Sequence, residues 1–156
     1  MTENKIRLPN DIWTTEIGPC RVAYYRAVSK NPETDAWRVL NSWAEENRVA
    51  GTHRRFGFDN PGPSSGKPDY GYEVWIVVGD EATESGEIRI KDFEGGRYAV
   101  LRTSLAEIGQ NWQRLVRWVR SSRFDTASRQ CLEESLSPPG TPEDSLILDL
   151  HLPITG

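Results

Sequence analysis

Two segments of the chain carry large apolar residues at the spacing of an α-helix. Residues 37–43 and residues 112–118 both read W-x-x-L-x-x-W. Apolar residues three positions apart share one face of a helix, so each segment predicts a helix with one buried face.

Polar residues in front of both segments mark the predicted helix starts. Asn31 can cap the first helix, and Pro32 suits its first turn. Ser104-x-x-Glu107 has the form of a capping box for the second. Gly51 is predicted to stop the first helix.

Alternating apolar positions predict strands between these helices. The clearest strand covers residues 72–78, with Tyr72, Val74, Ile76 and Val78 on one face and Glu73, Trp75 and Val77 on the other. Because both faces carry apolar residues, this strand is predicted to be central, and the carboxylate of Glu73 beside Trp75 is an anomaly. The further predicted strands are a short one within residues 1–19, then 21–29, 52–58, 87–91, 97–103, 130–136 and 145–154.

The order of these elements indicates an internal duplication. A second pattern, R-x-A-x-x-R, occurs at residues 21–26 and again at 97–102, upstream of the two tryptophan motifs. We interpret the chain as one domain over residues 1–156, with one repeat at about 20–79 and another at about 87–154. The alternative is coincidence in a tryptophan-rich chain.

Two strand-helix-strand-strand units predict an α+β fold. The simplest arrangement is one antiparallel sheet with both helices on one face and a pseudo-twofold axis between the halves. Such an axis would leave a groove between the repeats, where a ligand could bind.

Charge and composition exclude several classes of function. The 156 residues have a formal net charge of −4, which argues against direct nucleic-acid binding. A mean hydropathy of −0.62 and a polar N-terminus predict no membrane span and no signal peptide. Cys20 and Cys131 form no C-x-x-C motif, so we expect free thiols, a cytoplasmic protein, and neither metal nor cofactor.

Aromatic residues are unusually frequent. Six Trp, five Tyr and four Phe make up 10% of the chain. They predict either a tryptophan-filled core or an aromatic-lined cavity, and the core accounts for at least half of them.

Several segments together resemble one protein family. They are F-G-F-D-N-P at residues 56–61, Y-G-Y-E-V-W at 70–75, I-K-x-x-x-G-G-x-Y-A-V at 90–100, the second tryptophan motif, Q-x-L-E-E at 130–134 and L-P-I at 152–154. Their order and spacing resemble the GyrI-like small-molecule-binding domain, also called the AraC-type effector-binding domain, from about Val22 to Ile154. The fold of that family is the duplicated unit described above.

The resemblance implies a pocket for lipophilic, often cationic drugs, with aromatic walls and a buried glutamate. The matching glutamate is Glu133, and Trp75 and Tyr98 match aromatic positions. Tyr24, Phe58, Trp112 and Glu73 are further candidate ligand contacts. One departure is Ser135, where many members carry an aromatic residue.

Glu133 and its neighbour Glu134 are expected to face opposite sides of a strand, one buried and the other exposed. We expect Glu133 to be the functional one, in a mostly apolar pocket near Trp75 and Tyr98. A flat cation gains there from aromatic faces and from a desolvated carboxylate.

Three functions remain open at this stage. The first is a stand-alone effector-binding protein, because about 20 residues before the first strand leave no room for a DNA-reading domain. The second is a hydrolase of cyclopropane-bearing toxins that uses Glu133, and the third is a gyrase-inhibitor-like interaction with a protein. The sequence leaves open whether the protein is a monomer, a homodimer or a partner of another protein.

Overall fold

Nine strands and two α-helices occur among the residues that the computed structural model describes, 11–50 and 52–155. They are β1 (Ile12–Ile17), β2 (Cys20–Ser29), α1 (Pro32–Glu46), β3 (Arg55–Asp59), β4 (Tyr70–Val78), β5 (Arg89–Phe93), β6 (Gly96–Ser104), α2 (Ile108–Arg120), β7 (Asp125–Thr126), β8 (Leu132–Ser135) and β9 (Ile147–Thr155). The strands pair antiparallel, which confirms the predicted α+β class.

The chain divides into two compact units. We call Gly18–Gly95 the central unit, and Met1–Ile17 together with Gly96–Gly156 the terminal unit.

The central unit orders its strands β3-β4-β2-β5 and packs α1 against one face. The core on that face is made of alternate strand residues and the apolar stripe of the helix; it includes Ala23, Ala27, Ala36, Leu40, Trp43, Tyr72, Val74, Ile76 and Val78. The predicted alternation of β4 is confirmed, because its even-numbered residues face the helix.

The terminal unit orders its strands β8-β9-β6-β1, and the short β7 pairs with the end of β9. The helix α2 covers one face, with a core of Ala99, Leu101, Leu115, Val119, Leu150, Leu152 and Ile154. Leu40 in the central unit and Leu115 here, the middle residues of the two tryptophan motifs, are both fully buried.

The strands that precede β2 and β6 in the chain do not pair with them. Antiparallel pairing joins β5 to β2 and β1 to β6. Residues 87–91 were predicted to begin the second repeat, whereas β5 belongs to the central unit. Hydrophobic alternation identifies a strand but not its partner. The partner of β5 is β2, which is distant in the sequence, so no local pattern could predict the pairing.

The two helix starts differ from the predicted caps. Asn31 makes no side-chain cap, and its N–H donates to the Ser29 hydroxyl, which donates to Asp35. The predicted capping box is also absent: Ser104 ends β6 with extended backbone, a 3₁₀ turn follows, and α2 begins only at Ile108. Ser104 directly precedes the 3₁₀ turn, and its side chain makes no capping bond there.

The first helix ends at Glu46, before the predicted stop. Gly51 and residues 1–10 lie outside the described residues. The predicted short strand at the start of the chain corresponds to β1.

Candidate functional site

The seven candidate residues fall into two groups, one in each unit. Tyr24, Phe58, Glu73 and Trp75 lie in the central unit, and Tyr98, Trp112 and Glu133 lie in the terminal unit.

The four central candidates share the strand face that α1 does not cover. Tyr24 pairs with Trp75 across β2 and β4, and Phe58 pairs with Glu73 across β3 and β4. Directly paired residues point to the same side of an antiparallel ladder, and alternate residues along a strand do so too. The register therefore assembles an aromatic and acidic cluster on this face.

The carboxylate of Glu73 is almost completely buried, with 4% of the residue exposed. Asn60 Nδ2 donates to Oε1 at 3.0 Å, and Trp75 Nε1 donates to Oε2 at 2.7 Å. Lys91 Nζ forms an ion pair with Oε2. Burial of a carboxylate is costly without such donors, so this set explains how Glu73 is tolerated beside aromatic rings.

The Lys91 ammonium lies against two aromatic rings as well as Glu73. Its Nζ is 4.1 Å from the centroid of the Tyr24 ring and 5.2 Å from that of Trp75. Both distances are within the range of cation–π attraction.

Other rings hold Trp75 in place. The ring centroids of Phe58 and Phe93 lie 5.3 Å and 4.9 Å from that of Trp75, and Phe56 lies at 6.5 Å with an edge-to-face arrangement. Trp75 is 1% exposed, so its indole is a fixed wall of the cluster.

Glu133 lies on the face of the terminal unit that α2 covers. It pairs with Leu150, a core residue under that helix. Its carboxylate Oε2 accepts a hydrogen bond of 3.1 Å from Trp112 Nε1, and both side chains are half-buried. The structure thus brings together two of the three candidates in this unit.

Tyr98 lies on the opposite face from Glu133. It pairs with Pro153, three residues after the Leu150 partner of Glu133. Tyr98 was predicted to lie close to Glu133, but their partners on β9 are an odd number of residues apart, so the two side chains point to different sides of the sheet.

Tyr98 shares its face with Glu134, which is the more buried of the two adjacent glutamates at 8% exposure. His151, on the same face, lies edge-on to the Tyr98 ring and has its Nε2 3.7 Å from Glu134 Oε1. The resemblance implied that Glu133 is the buried glutamate, but in the structure Glu134 is buried and Glu133 is half-buried.

Two buried polar atoms beside this cluster lack hydrogen-bond partners among the described residues: the Tyr98 hydroxyl and Arg129 Nε. The Arg129 guanidinium lies 5.1 Å from the centroid of the Tyr98 ring. It occupies space beside Gly96, where the Cβ of any other residue would collide with the guanidinium. Burial raises the pKa of Tyr98, and the positive charge of Arg129 opposes that rise.

Sequence reasoning missed Lys91, His151 and Arg129. Lys91 carried a usable signal, because alternation along 87–91 separates it from the apolar Ile88 and Ile90. Its approach to Glu73 depends on the register of β5 against β2, which no local pattern reveals. His151 and Arg129 gave no such signal.

Within residues 11–50 and 52–155, no group of three His, Cys, Asp or Glu side chains is placed to hold a metal ion. In the same part of the chain, neither helix has the length and apolar character to cross a membrane.

A family model for the GyrI-like small molecule binding domain matches residues 14–155. Since the match covers nearly the whole chain, the chain belongs to this family. No curated protein matches the sequence.

Solved structures share the fold at low sequence identity. EcmrR in its complex with DNA, solved by cryo-EM, is 12% identical with a TM-score of 0.72; the match covers 92% of this chain but 57% of that one. A hydrolase from Listeria innocua is 10% identical with a TM-score of 0.66, covering 92% and 91% of the two chains. SAV2435 bound to tetraphenylphosphonium is 11% identical with a TM-score of 0.55, covering 94% of each.

Proposed function

We propose that this GyrI-like domain binds a lipophilic organic cation and that Glu133 selects for the positive charge. The domain would act as an effector-binding protein that senses or sequesters such a molecule in the cytoplasm. Family membership establishes the class of small-molecule binding domains, and the cationic preference and the role of Glu133 are our inference.

The observation that carries the proposal is the pair formed by Glu133 and Trp112. Glu133 is half-buried, and its carboxylate accepts a hydrogen bond from the indole N–H, so the negative charge is oriented at a partly exposed position. The half-buried indole offers an apolar surface beside the negative charge. A lipophilic cation needs both features, since the ring face and the carboxylate each attract it.

One structural relative supports a cationic ligand. SAV2435 was solved with tetraphenylphosphonium, which is a lipophilic cation. EcmrR, solved with DNA, includes a region of the same fold. Neither protein is similar enough in sequence to transfer individual contacts.

Titration with tetraphenylphosphonium tests the proposal, followed by calorimetry or by Trp fluorescence. Glu133→Gln keeps the shape and hydrogen-bonding capacity of the side chain but removes its charge. We expect a loss of roughly 2 kcal/mol, or about thirtyfold in affinity. A neutral ligand of similar bulk, triphenylphosphine oxide, should lose much less.

Glu134→Gln is the matched control, because it removes the neighbouring charge on the other strand face. It should leave the affinity for tetraphenylphosphonium within about threefold. Because Glu134 is buried next to His151, thermal unfolding of each variant must first show a folded protein. Equal losses at the two positions, or equal losses for the charged and the neutral ligand, would exclude Glu133 as the selective group.

Two other functions remain predictions from the resemblance. Turnover of a cyclopropane-bearing substrate would support a hydrolase that uses Glu133. Capture of a topoisomerase would support a gyrase-inhibitor-like interaction.

A further inference from the structure

The central unit contains a cation site that is already occupied by a side chain of the protein itself. We propose that Glu73, Tyr24 and Trp75 form an ammonium-binding cage, that Lys91 is its tethered ligand, and that an organic primary ammonium enters by displacing Lys91. The proposal goes beyond the function proposed above, because neither Glu133 nor Trp112 takes part.

The cage does not need Lys91 to hold its carboxylate in place. Asn60 Nδ2 and Trp75 Nε1 bind the two oxygens of Glu73 separately, at 3.0 Å and 2.7 Å. Both donors are neutral, so removal of the ammonium would leave an oriented but uncompensated negative charge. Such a buried charge favours the uptake of another cation.

The aromatic walls are equally preorganised. Trp75 packs against Phe58 and Phe93 at centroid distances of 5.3 Å and 4.9 Å. Tyr24 lies opposite Trp75 in the ladder of β2 and β4. A cation at the position of the Lys91 ammonium would gain from both rings without rearrangement of the strands.

Lys91 is the movable part of the site. Its side chain is 38% exposed, whereas that of Glu73 is 6% exposed. Lys91 also borders a surface cavity of about 380 Å³, which Glu84 and Asp92 line as well. The flexible stem can therefore carry the ammonium into solvent once another cation takes its place on the buried carboxylate.

The geometry defines the class of ligand. Lys91 reaches the cage with a straight alkyl chain that ends in a primary ammonium, so a ligand with an unbranched aminoalkyl group reproduces its contacts. A tether raises the effective concentration of the resident ammonium to the millimolar range or above. A free amine must compete with that concentration, so Lys91 excludes cations that bind the cage with low affinity.

Lys91→Ala combined with n-propylammonium chloride tests this directly. The alanine keeps Cβ, and n-propylammonium replaces the missing Cγ, Cδ, Cε and Nζ atoms. We expect the variant to bind n-propylammonium saturably, with a Kd on the order of 1 mM, and to unfold at a higher temperature in its presence. The unaltered protein should bind it at least about tenfold more weakly, because Lys91 competes.

Two controls separate cation binding from cavity filling and from salt effects. 1-Propanol has the same chain without the charge, and sodium chloride supplies the same ionic strength. The double variant Lys91→Ala with Glu73→Gln keeps the space but loses the carboxylate. Equal stabilisation by 1-propanol, rescue of the double variant, or equal affinity in the unaltered protein would each overturn the proposal.

A folding defect in Lys91→Ala would not prevent the test. Refolding in the presence of n-propylammonium, but not of 1-propanol, would itself be the expected rescue. Lys91→Thr provides a second variant with a residue that strands favour. Because threonine keeps a γ carbon, ethylammonium supplies the missing Cδ, Cε and Nζ atoms, and it must stabilise this variant for the proposal to stand. Tetraphenylphosphonium titration of Glu133→Gln is independent of all these variants, so failure of either proposal is seen separately.

Discussion

In both units an acidic residue lies opposite an arginine at the same ladder position, but the two side chains bind each other only in the terminal unit. In the central unit Arg26 lies opposite Glu73, and in the terminal unit Arg102 lies opposite Asp149. Arg102 binds Asp149 through Nε at 2.9 Å and a second nitrogen at 3.2 Å. Arg26 instead donates to the backbone carbonyl of Asn60 at 3.2 Å.

Lys91 and the aromatic residues account for the difference. In the central unit Asn60, Trp75 and Lys91 already bind the Glu73 carboxylate. Arg26 therefore forms its hydrogen bond elsewhere. A shared strand order and a shared helix motif therefore do not determine the chemistry on the face that the helix leaves uncovered. On that face the central unit binds its acid with a lysine inside an aromatic cluster, whereas the terminal unit binds its acid with an arginine.

Shortening the middle leucine of each tryptophan motif should give the largest effect. Leu40 and Leu115 are both fully buried under their helices. Leu40→Ala and Leu115→Ala should each lower the free energy of unfolding by about 2–5 kcal/mol, through lost burial and a residual cavity. Urea denaturation measures both changes.

Exposed alanine substitutions on the same helices, Arg38→Ala and Gln113→Ala, are the controls and should change stability by less than about 0.5 kcal/mol. If only one leucine proved costly, the two helices would not make equivalent contributions to their units.

The sequence predicted that Leu40 and Leu115 are buried, because the buried positions of a helix recur every three to four residues and are visible in a short segment. The same reasoning located β4 and identified Glu73 as anomalous. It could not tell which of Glu133 and Glu134 is buried, since two adjacent glutamates give no alternation of polarity. Nor could it place Lys91 on Glu73 or β5 beside β2, because a strand's partner and register are set by contacts far apart in the chain.

Removing the two acids at the shared ladder position should have intermediate effects. Glu73→Gln loses the charge that Lys91, Asn60 and Trp75 all contact, and we expect a cost of about 2 kcal/mol. Asp149→Asn should cost about 1 kcal/mol, since a single side chain, Arg102, binds it in the contacts above. Both expected losses of stability are small because Lys91 and Arg102 are about one-third exposed, and solvent screens their attraction to the acids.

Thermal and urea unfolding at low and high salt measure these two changes. A larger loss for Asp149→Asn than for Glu73→Gln would reverse the comparison, and it would mean that the terminal pair is the stronger one.

The smallest effect concerns the two cysteines, one in each unit. Burial raises the pKa of Cys20 while Arg54 opposes the rise, whereas burial raises the pKa of Cys131 and the charge of Glu133 adds to it. Only the thiolate reacts with iodoacetamide, so alkylation of both should be slow at pH 7 and accelerate as the pH rises through the raised pKa. Glu133→Gln removes one cause at Cys131 and should speed its alkylation below that pKa, while the Cys20 rate stays unchanged.

The increase should stay below about tenfold, because tenfold would require about 1.4 kcal/mol, more than a partly exposed charge pair usually supplies. Single variants Cys20→Ser and Cys131→Ser assign the two rates, and mass spectrometry over a series of pH values measures them.

Saturating tetraphenylphosphonium should mimic Glu133→Gln at Cys131 if the cation neutralises that carboxylate. Slower alkylation of Cys131 with the cation bound would instead indicate that the ligand covers the thiol. Identical changes at Cys20 would show that the effect is not local to Glu133.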